Sequence, residues 1–438
     1  LITASKDDEQ ILAIKSTEDK RNKPIFKLDK KFKRFRKPSL SDQISYIMNK
    51  KATPCILFYF SREKVENKAR YAANLNFKIK KNVQLRHLFE NIFDDITNEE
   101  YQLLNLDELY WMWSRGVAYH HAGLAPIVKE FVEFLFINRH IDILFATETL
   151  SLGINMPAKS IIIDSSFKYD GLKTRLISKS EFLQLTGRAG RRGIDSKGYA
   201  YINYDKRVEN SWYNDLFDLK PNNLKSSYSN SYGSVLNLNN KYGEKKGIEM
   251  IKKSFYSYQN KLNDKALETN YKAKLKVLNE MNYFTDLKKN KLLTETHRDN
   301  LILGIELLNE NNDIEFCLMF LASGISTSKY EISIHDKYNS LFTKFLITQE
   351  KINKLEALNG VKNKMNLDVT WFSIFLEFYN SNNIEYTLSK FNITLGDFIK
   401  ACREASEISQ KVYSIYQIEN FDKISKKFKN NIIQKTML

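Results

Sequence analysis

Five short, mainly apolar runs constrain this chain more than any other feature: 55–60 (Cys-Ile-Leu-Phe-Tyr-Phe), 117–120, 141–145, 160–164 and 199–203. A strand with one wet face alternates apolar and polar positions, so a run without alternation marks a strand covered on both faces. Helical patterns separate most of these runs, most clearly over 126–138. Parallel strands need crossover connections, usually helices, so strand–helix alternation points to a parallel sheet. Residues 39–208 are therefore predicted to form a doubly wound α/β domain. It begins with a helix over 39–51 capped by Ser39 or Ser41. Between residues 74 and 113 a longer, charged stretch interrupts the alternation and is read as helical.

Proline and glycine usage divides the chain. All six prolines lie at or before Pro221, and the 217 residues beyond it contain none. Eight of the 15 glycines fall between Gly116 and Gly198. The second half is predicted to be mostly helical, with a boundary near 205–222. The chain is divided into 1–38, a basic polar segment or linker, then 39–208, 209–265 and 266–438. Ten of the 19 residues at 20–38 are Lys or Arg against one acid, Asp29. The formal charge of +16 favours a polyanionic partner, nucleic acid before membrane. No run of 18 apolar residues is present to span a bilayer. The first residues lack a signal-peptide pattern and an initiator methionine, so a piece of a longer protein is expected. Cys55, Cys317 and Cys402 are far apart and fit no metal or disulfide pattern. They are read as small buried hydrophobes of a reducing compartment, cytoplasmic or nuclear.

Chemistry concentrates at 180–193, Ser-Glu-Phe-Leu-Gln-Leu-Thr-Gly-Arg-Ala-Gly-Arg-Arg-Gly. On a helix, Gln184, Gly187, Arg188 and Arg191 would share one face, at i, i+3, i+4 and i+7. Guanidinium forks match phosphate oxygens two at a time, which a lysine cannot do. Three glycines in seven residues are costly inside a helix, so the run is read as a nucleotide sensor rather than a basic helix end. Open α/β sheets bind ligands beyond the carboxyl ends of their strands. There, 55–60 leads to Ser61 and Arg62, where a helix start can face a phosphate. The run 117–120 leads to His120, His121 and Gly123; no further His or Cys has ligand spacing, so no metal is expected. The run 141–145 leads to Thr147, Thr149, Ser151, Gly153 and Asn155, a set of hydroxyls, an open backbone and an amide.

These segments resemble the motifs of superfamily 2 helicases. Residues 56–64 look like motif IV, 120–123 its companion, 147–157 motif V and 184–193 motif VI. The phrases Leu144-Phe-Ala-Thr-Glu-Thr149, Gly153-Ile-Asn-Met-Pro-Ala-Lys159 and Tyr169-Asp-Gly171 are similar to the superkiller-type, exosome-associated DExH-box RNA helicases in particular. Residues 224–238 resemble the start of that family's winged-helix segment, and 371–438 its helical C-terminal (DSHCT-type) domain. The resemblance implies a RecA-like α/β domain with a parallel doubly wound sheet, a winged-helix segment over 209–265 and a mostly α-helical bundle over 266–438. It implies ATP-dependent 3′ to 5′ unwinding of RNA, with ATP and Mg2+ held mainly by a first RecA-like domain. Arg188 and Arg191 would contact the triphosphate, Arg191 as the finger, with Gln184, Gly187, Gly153 and Asn155 lining the nucleotide side. Ser61, Arg62, His120, Gly123, Thr147 and Thr149 would hold RNA, a single-stranded 3′ tail or a duplex. RNA-degradation machinery is the implied partner, and no membrane.

Two departures qualify this. The chain contains no Gly-x-x-x-x-Gly-Lys-Ser/Thr, and Asp107-Glu108-Leu-Tyr is not the family's Asp-Glu-x-His. It therefore resembles the second RecA-like domain onward, and alone it is not expected to hydrolyse ATP. Residues 258–271 leave no room for the arch of the exosome-associated members, so the compact members are the better likeness. The alternatives are a non-catalytic RNA-binding module and a DNA-unwinding helicase.

Overall fold

The computed structural model describes residues 2–4, 11–13, 38–75, 84–151, 156–170, 173–190, 193–217, 224–260, 264–309, 312–325, 330–362 and 364–430. The chain divides into two compact units on either side of residue 222.

In the first unit, β1 (Ile2–Ala4) and β2 (Ile11–Ala13) precede α1 (Leu40–Asn49). Ser39 caps α1, its Oγ accepting from the Asp42 amide at 3.1 Å, while Asp42 Oδ2 accepts from the Ser39 amide. Next come β3 (Cys55–Phe58) and α2 (Arg62–Asn74), then the three helices of the charged stretch, α3 (Leu85–Phe93), α4 (Asn98–Leu103) and α5 (Leu106–Trp113). The order continues with β4 (Val117–His120), α6 (Pro126–Ile137), β5 (Ile143–Ala146), a 3₁₀ turn at Glu148–Ser151 and β6 (Ser160–Ile163). A hairpin of β7 (Phe167–Tyr169) and β8 (Thr174–Leu176), then α7 (Lys179–Thr186), β9 (Tyr199–Ile202) and α8 (Asn210–Phe217) complete it.

The strands β9-β6-β3-β5-β4 lie side by side in that order, all parallel. They fall on the five apolar runs. Every residue of β3, β4, β5 and β6 is buried, as expected of strands covered on both faces. Burying a ring such as Phe58 or Phe145 contributes about 2–3 kcal/mol. The charged stretch packs through rings: Phe93 of α3 and Trp113 of α5 each meet Phe131 of α6 at 5.1 Å.

Two expected boundaries are corrected. β1 pairs antiparallel with β9 and with β2, so part of the predicted linker extends the sheet. The basic run lies outside the described residues, apart from Pro38. The α/β unit also runs past residue 208: Tyr213 of α8 is buried, its hydroxyl 3.0 Å from Ser166 Oγ and accepting from the Asp205 amide at 2.8 Å.

The second unit contains α9 (Tyr232–Lys252), α10 (Phe255–Gln259), α11 (Asp264–Glu280), α12 (Leu287–Thr296), α13 (Leu301–Ile305), α14 (Ile314–Ser323), α15 (Asn339–Leu358), α16 (Thr370–Ser381), α17 (Ile384–Phe391), α18 (Leu395–Tyr416) and α19 (Glu419–Asn430). Gly243, at φ +73°, kinks α9. The core gathers on α14, whose Phe320 meets Phe421 of α19 edge to face at 5.3 Å. Because α9 packs along α11, residues 209–265 do not form a unit of their own: α8 belongs to the first unit, α9 and α10 to the second. Among the described residues the second unit has helices and no strand.

Candidate functional site

Three of the expected segments meet at the carboxyl ends of adjacent strands β3, β4 and β5. Beyond β3, Ser61 caps α2, its Oγ accepting from the Lys64 amide at 3.5 Å. Arg62 opens that helix, leaving its first amides unpaired within the helix, as any helix start does. Beyond β4, the Gly123 amide donates to His121 Nδ1 at 3.1 Å. A Cβ on Gly123 would lie 3.0 Å from that nitrogen and 3.1 Å from Arg62 Nη1, so glycine is what lets the guanidinium and the imidazole meet there. Beyond β5, Thr147 Oγ1 lies 2.8 Å from Thr149 Oγ1; Thr147 is buried and Thr149 exposed.

Because Nδ1 accepts from Gly123, the His121 proton belongs on Nε2, which donates to Glu66 Oε1 at 3.0 Å. Burial holds this imidazole below its ordinary pKa, although Glu66 pulls the other way. Burial would raise the Glu66 carboxyl, but the hydrogen bond and charge of His121 and the charge of Arg70 outweigh it and hold the group low. Arg70 continues the chain, with Nη2 at 3.1 Å from Glu66 Oε2 and Nε at 2.6 Å from Glu108 Oε1. Glu108 thus joins α5 to α2, while Asp107 accepts from the Tyr101 hydroxyl of α4 at 2.8 Å.

His120 is held against α6. It is buried at the end of β4, its Nε2 2.8 Å from Glu133 Oε1 of α6 and its Nδ1 without a hydrogen-bond partner. His121 is as deeply buried, and it is the histidine that meets Gly123 at the rim.

The nucleotide-side residues are arranged differently from the expectation. Ser178 and Glu181 form a capping box that starts α7, with the Ser178 amide donating to Glu181 Oε2 at 2.7 Å. Glu181 also receives both Arg175 Nη atoms at 2.8 Å and Lys168 Nζ at 2.9 Å. Lys168 reaches on to Glu148 Oε1 at 3.3 Å, fastening the start of α7 to the turn beyond β5. The helix ends at Thr186, with Gly187 as its C-cap, so Arg188 leaves the helix and does not continue the face of Gln184.

Beyond that point the backbone pairs elsewhere. The Ala158 amide donates to the Arg188 carbonyl at 2.9 Å, and the Gly190 amide to the Ala158 carbonyl at 2.8 Å. Ala158 precedes β6, and the next amide, of Lys159, donates to Pro54 just before β3. Arg188 therefore stands by the amino ends of the strands, opposite Ser61 and Thr147, with α7 running between the two ends. Gln184 and Gly187 are exposed and Arg188 is half-buried. Arg191, Gly153 and Asn155 lie outside the described residues.

Residues 89–193 match the Helicase conserved C-terminal domain. The chain is 33% identical to the DExH-box ATP-dependent RNA helicase DExH10 of Arabidopsis thaliana over 59% of its own length and 28% of that protein. It is 35% identical to the Exosome RNA helicase MTR4 of Mus musculus, over 49% of its length and 21% of that protein. It is 33% identical to the Antiviral helicase SKI2 of Saccharomyces cerevisiae, over 54% and 18% respectively. The matches thus span between 18% and 28% of these three relatives. With the parallel five-stranded sheet, these matches show a helicase C-terminal domain in this chain and a likeness to DExH-box RNA helicases of the MTR4 and SKI2 kind.

Proposed function

We propose that the full-length protein is an ATP-dependent RNA helicase that unwinds 3′ to 5′ in RNA processing or decay. One observation carries this reading: α7 links a rim of polar groups on β3, β4 and β5 to a guanidinium-bearing turn at the other end of the same sheet. A sugar-phosphate backbone fits the rim. The first amides of α2, the Arg62 guanidinium and the Thr147 and Thr149 hydroxyls are donors, and Gly123 lets the chain pass close to Arg62.

The other end suits one side of a nucleoside triphosphate. Gln184 offers an exposed amide, and Arg188, joined in sequence by Arg191, offers guanidinium forks for phosphate oxygens. Gly153 and Asn155 complete the lining by the family resemblance. Bound ATP supplies the phosphoryl group that is transferred to water. The role of these residues is to hold the polyphosphate in line and to offset the charge that builds on it, Arg191 foremost. By the family resemblance, Mg2+ would be held mainly by a first RecA-like domain.

The winged-helix reading of 209–265 rests on the resemblance alone, as does an RNA-degradation complex as partner. The test is Arg191→Ala in the full-length protein. ATP turnover should fall by about 10³- to 10⁵-fold with the fold intact. Near-normal turnover would refute the finger.

A further inference from the structure

In the second unit, Phe255 and Tyr258 lie three residues apart on α10, 50% and 71% exposed. Their ring centroids are 6.2 Å apart and their planes 15° from parallel. No other ring pair among the described residues has both members exposed. Rings left this far in water do little for the packing of their own helix.

The surroundings are basic. Residues 221–243 and 250–260 contain no Asp or Glu. Gln259 accepts from the Ser226 amide at 2.7 Å and donates to the Leu224 carbonyl, which sets Lys225 beside the end of α10. Lys253 lies two residues before Phe255. Both lysines are exposed and neither forms an ion pair among the described residues, whereas Lys252 is paired with Glu268 at 2.6 Å.

We infer that Phe255 and Tyr258 are a stacking platform for successive bases of single-stranded RNA, with Lys225 and Lys253 on its phosphates. Every base has a π-face, so paired rings beside unpaired cations suit a strand gripped without regard to sequence. The near-parallel planes let one stretch of strand lie across both rings, and the two exposed lysines beside them favour a polyanion over a basic partner. The inference rests on the reading that the chain acts on RNA, but concerns a surface that none of the helicase motifs contains.

The experiment measures fluorescence anisotropy of the whole chain with a labelled oligouridine of about 12 nucleotides and with an abasic oligomer of the same length. The double variant Phe255→Ala/Tyr258→Ala should bind oligouridine about tenfold or more weakly, and the abasic strand unchanged. Phe255→Trp/Tyr258→Trp should retain binding, which separates stacking from damage to α10. Lys225→Ala/Lys253→Ala should weaken both strands alike and flatten the salt dependence. Unchanged oligouridine binding by the alanine pair, or an equal loss on the abasic strand, overturns the platform while leaving the helicase reading intact. If the unaltered chain ignores oligouridine altogether, the RNA reading falls with it.

Discussion

Gly198 approaches Gly190 so closely that a Cβ on Gly198 would lie 2.5 Å from the Gly190 nitrogen and 2.6 Å from the Ala189 carbonyl carbon. The contact brings the strand entering β9 against the turn that follows α7. Gly190 itself requires φ +88°, and Gly193 φ +77°. The glycines that looked like room for a ligand are thus in part room for the chain's own backbone.

Gly198→Ala should therefore separate two backbone segments rather than displace a flexible side chain, a cost of about 2–4 kcal/mol. Gly193→Ala meets no atom within 4 Å and should cost only the left-handed conformation, about 1–2 kcal/mol. Urea denaturation of the two variants checks the order. Equal losses would mean that the backbones part freely.

Glu181 gathers Arg175, Lys168 and the Ser178 amide, and the Arg175 hydrogen bonds foremost hold its carboxyl well below the usual range. A carboxyl depressed in the folded state stabilises fully above its unfolded pKa of about 4.3 and loses that contribution progressively as pH falls from there through its lower folded value. A quarter of the side chain is exposed, so Glu181→Gln should cost only about 1–2 kcal/mol at pH 7. The gap to the unaltered chain should shrink between about pH 5 and pH 3, read from urea midpoints. A gap constant with pH would mean that the pairs contribute packing rather than charge.

His121 acts in the same direction at higher pH. Burial keeps its folded imidazole below the ordinary value, so on acidification the unfolded chain takes up the proton first. Stability should fall as pH drops through about 6.5 and level off once the folded ring is charged as well. His121→Gln removes the hydrogen bonds to Glu66 and Gly123 and should cost about 1–3 kcal/mol at pH 8. Its deficit should narrow by pH 5. A deficit that widens on acidification would place the proton on the folded ring.

Much of the fold could be read from the sequence because a strand covered on both faces writes its burial into consecutive residues; Cys55, Ile56, Leu57 and Phe58 are all buried. The caps were legible for a related reason, since Ser39 and Ser61 act through amides one turn away and Pro126 through its own fixed backbone angle. What the sequence did not carry depends on where the chain goes after an element ends. Periodicity continued α7 through Arg188, whereas a backbone bridge to Ala158, some 30 residues upstream, draws the chain out of the helix. The choice between His120 and His121 likewise turned on Glu133 and Glu66, partners on two different helices. The joining of α9 to α11 follows from packing across a segment whose local pattern names no partner.

The stretch read as the start of a winged helix also contains a buried polar network. The Tyr232 hydroxyl donates to Glu356 Oε1 at 2.9 Å, and Lys274 Nζ lies 4.3 Å from the centre of the Tyr232 ring. Lys274 also donates to the Asn230 carbonyl at 2.6 Å and stands 3.7 Å from Asp299 Oδ2, while Asp299 accepts from the Tyr232 amide at 2.8 Å. Burial lowers the Lys274 pKa and raises that of Glu356, so each charge is costly without the other. Tyr232→Phe should cost about 1–2 kcal/mol by removing one donor from Glu356. Lys274→Met should cost more, about 3 kcal/mol, because Asp299 and Glu356 then face each other without a cation. Adding Glu356→Gln to Lys274→Met should cost less than the sum of the two single changes, since the second removes a charge that the first left uncompensated. A double-mutant cycle in urea measures this coupling; strict additivity would show that Lys274 and Glu356 do not sense one another, and that α9, α11 and α15 are joined by their apolar faces alone.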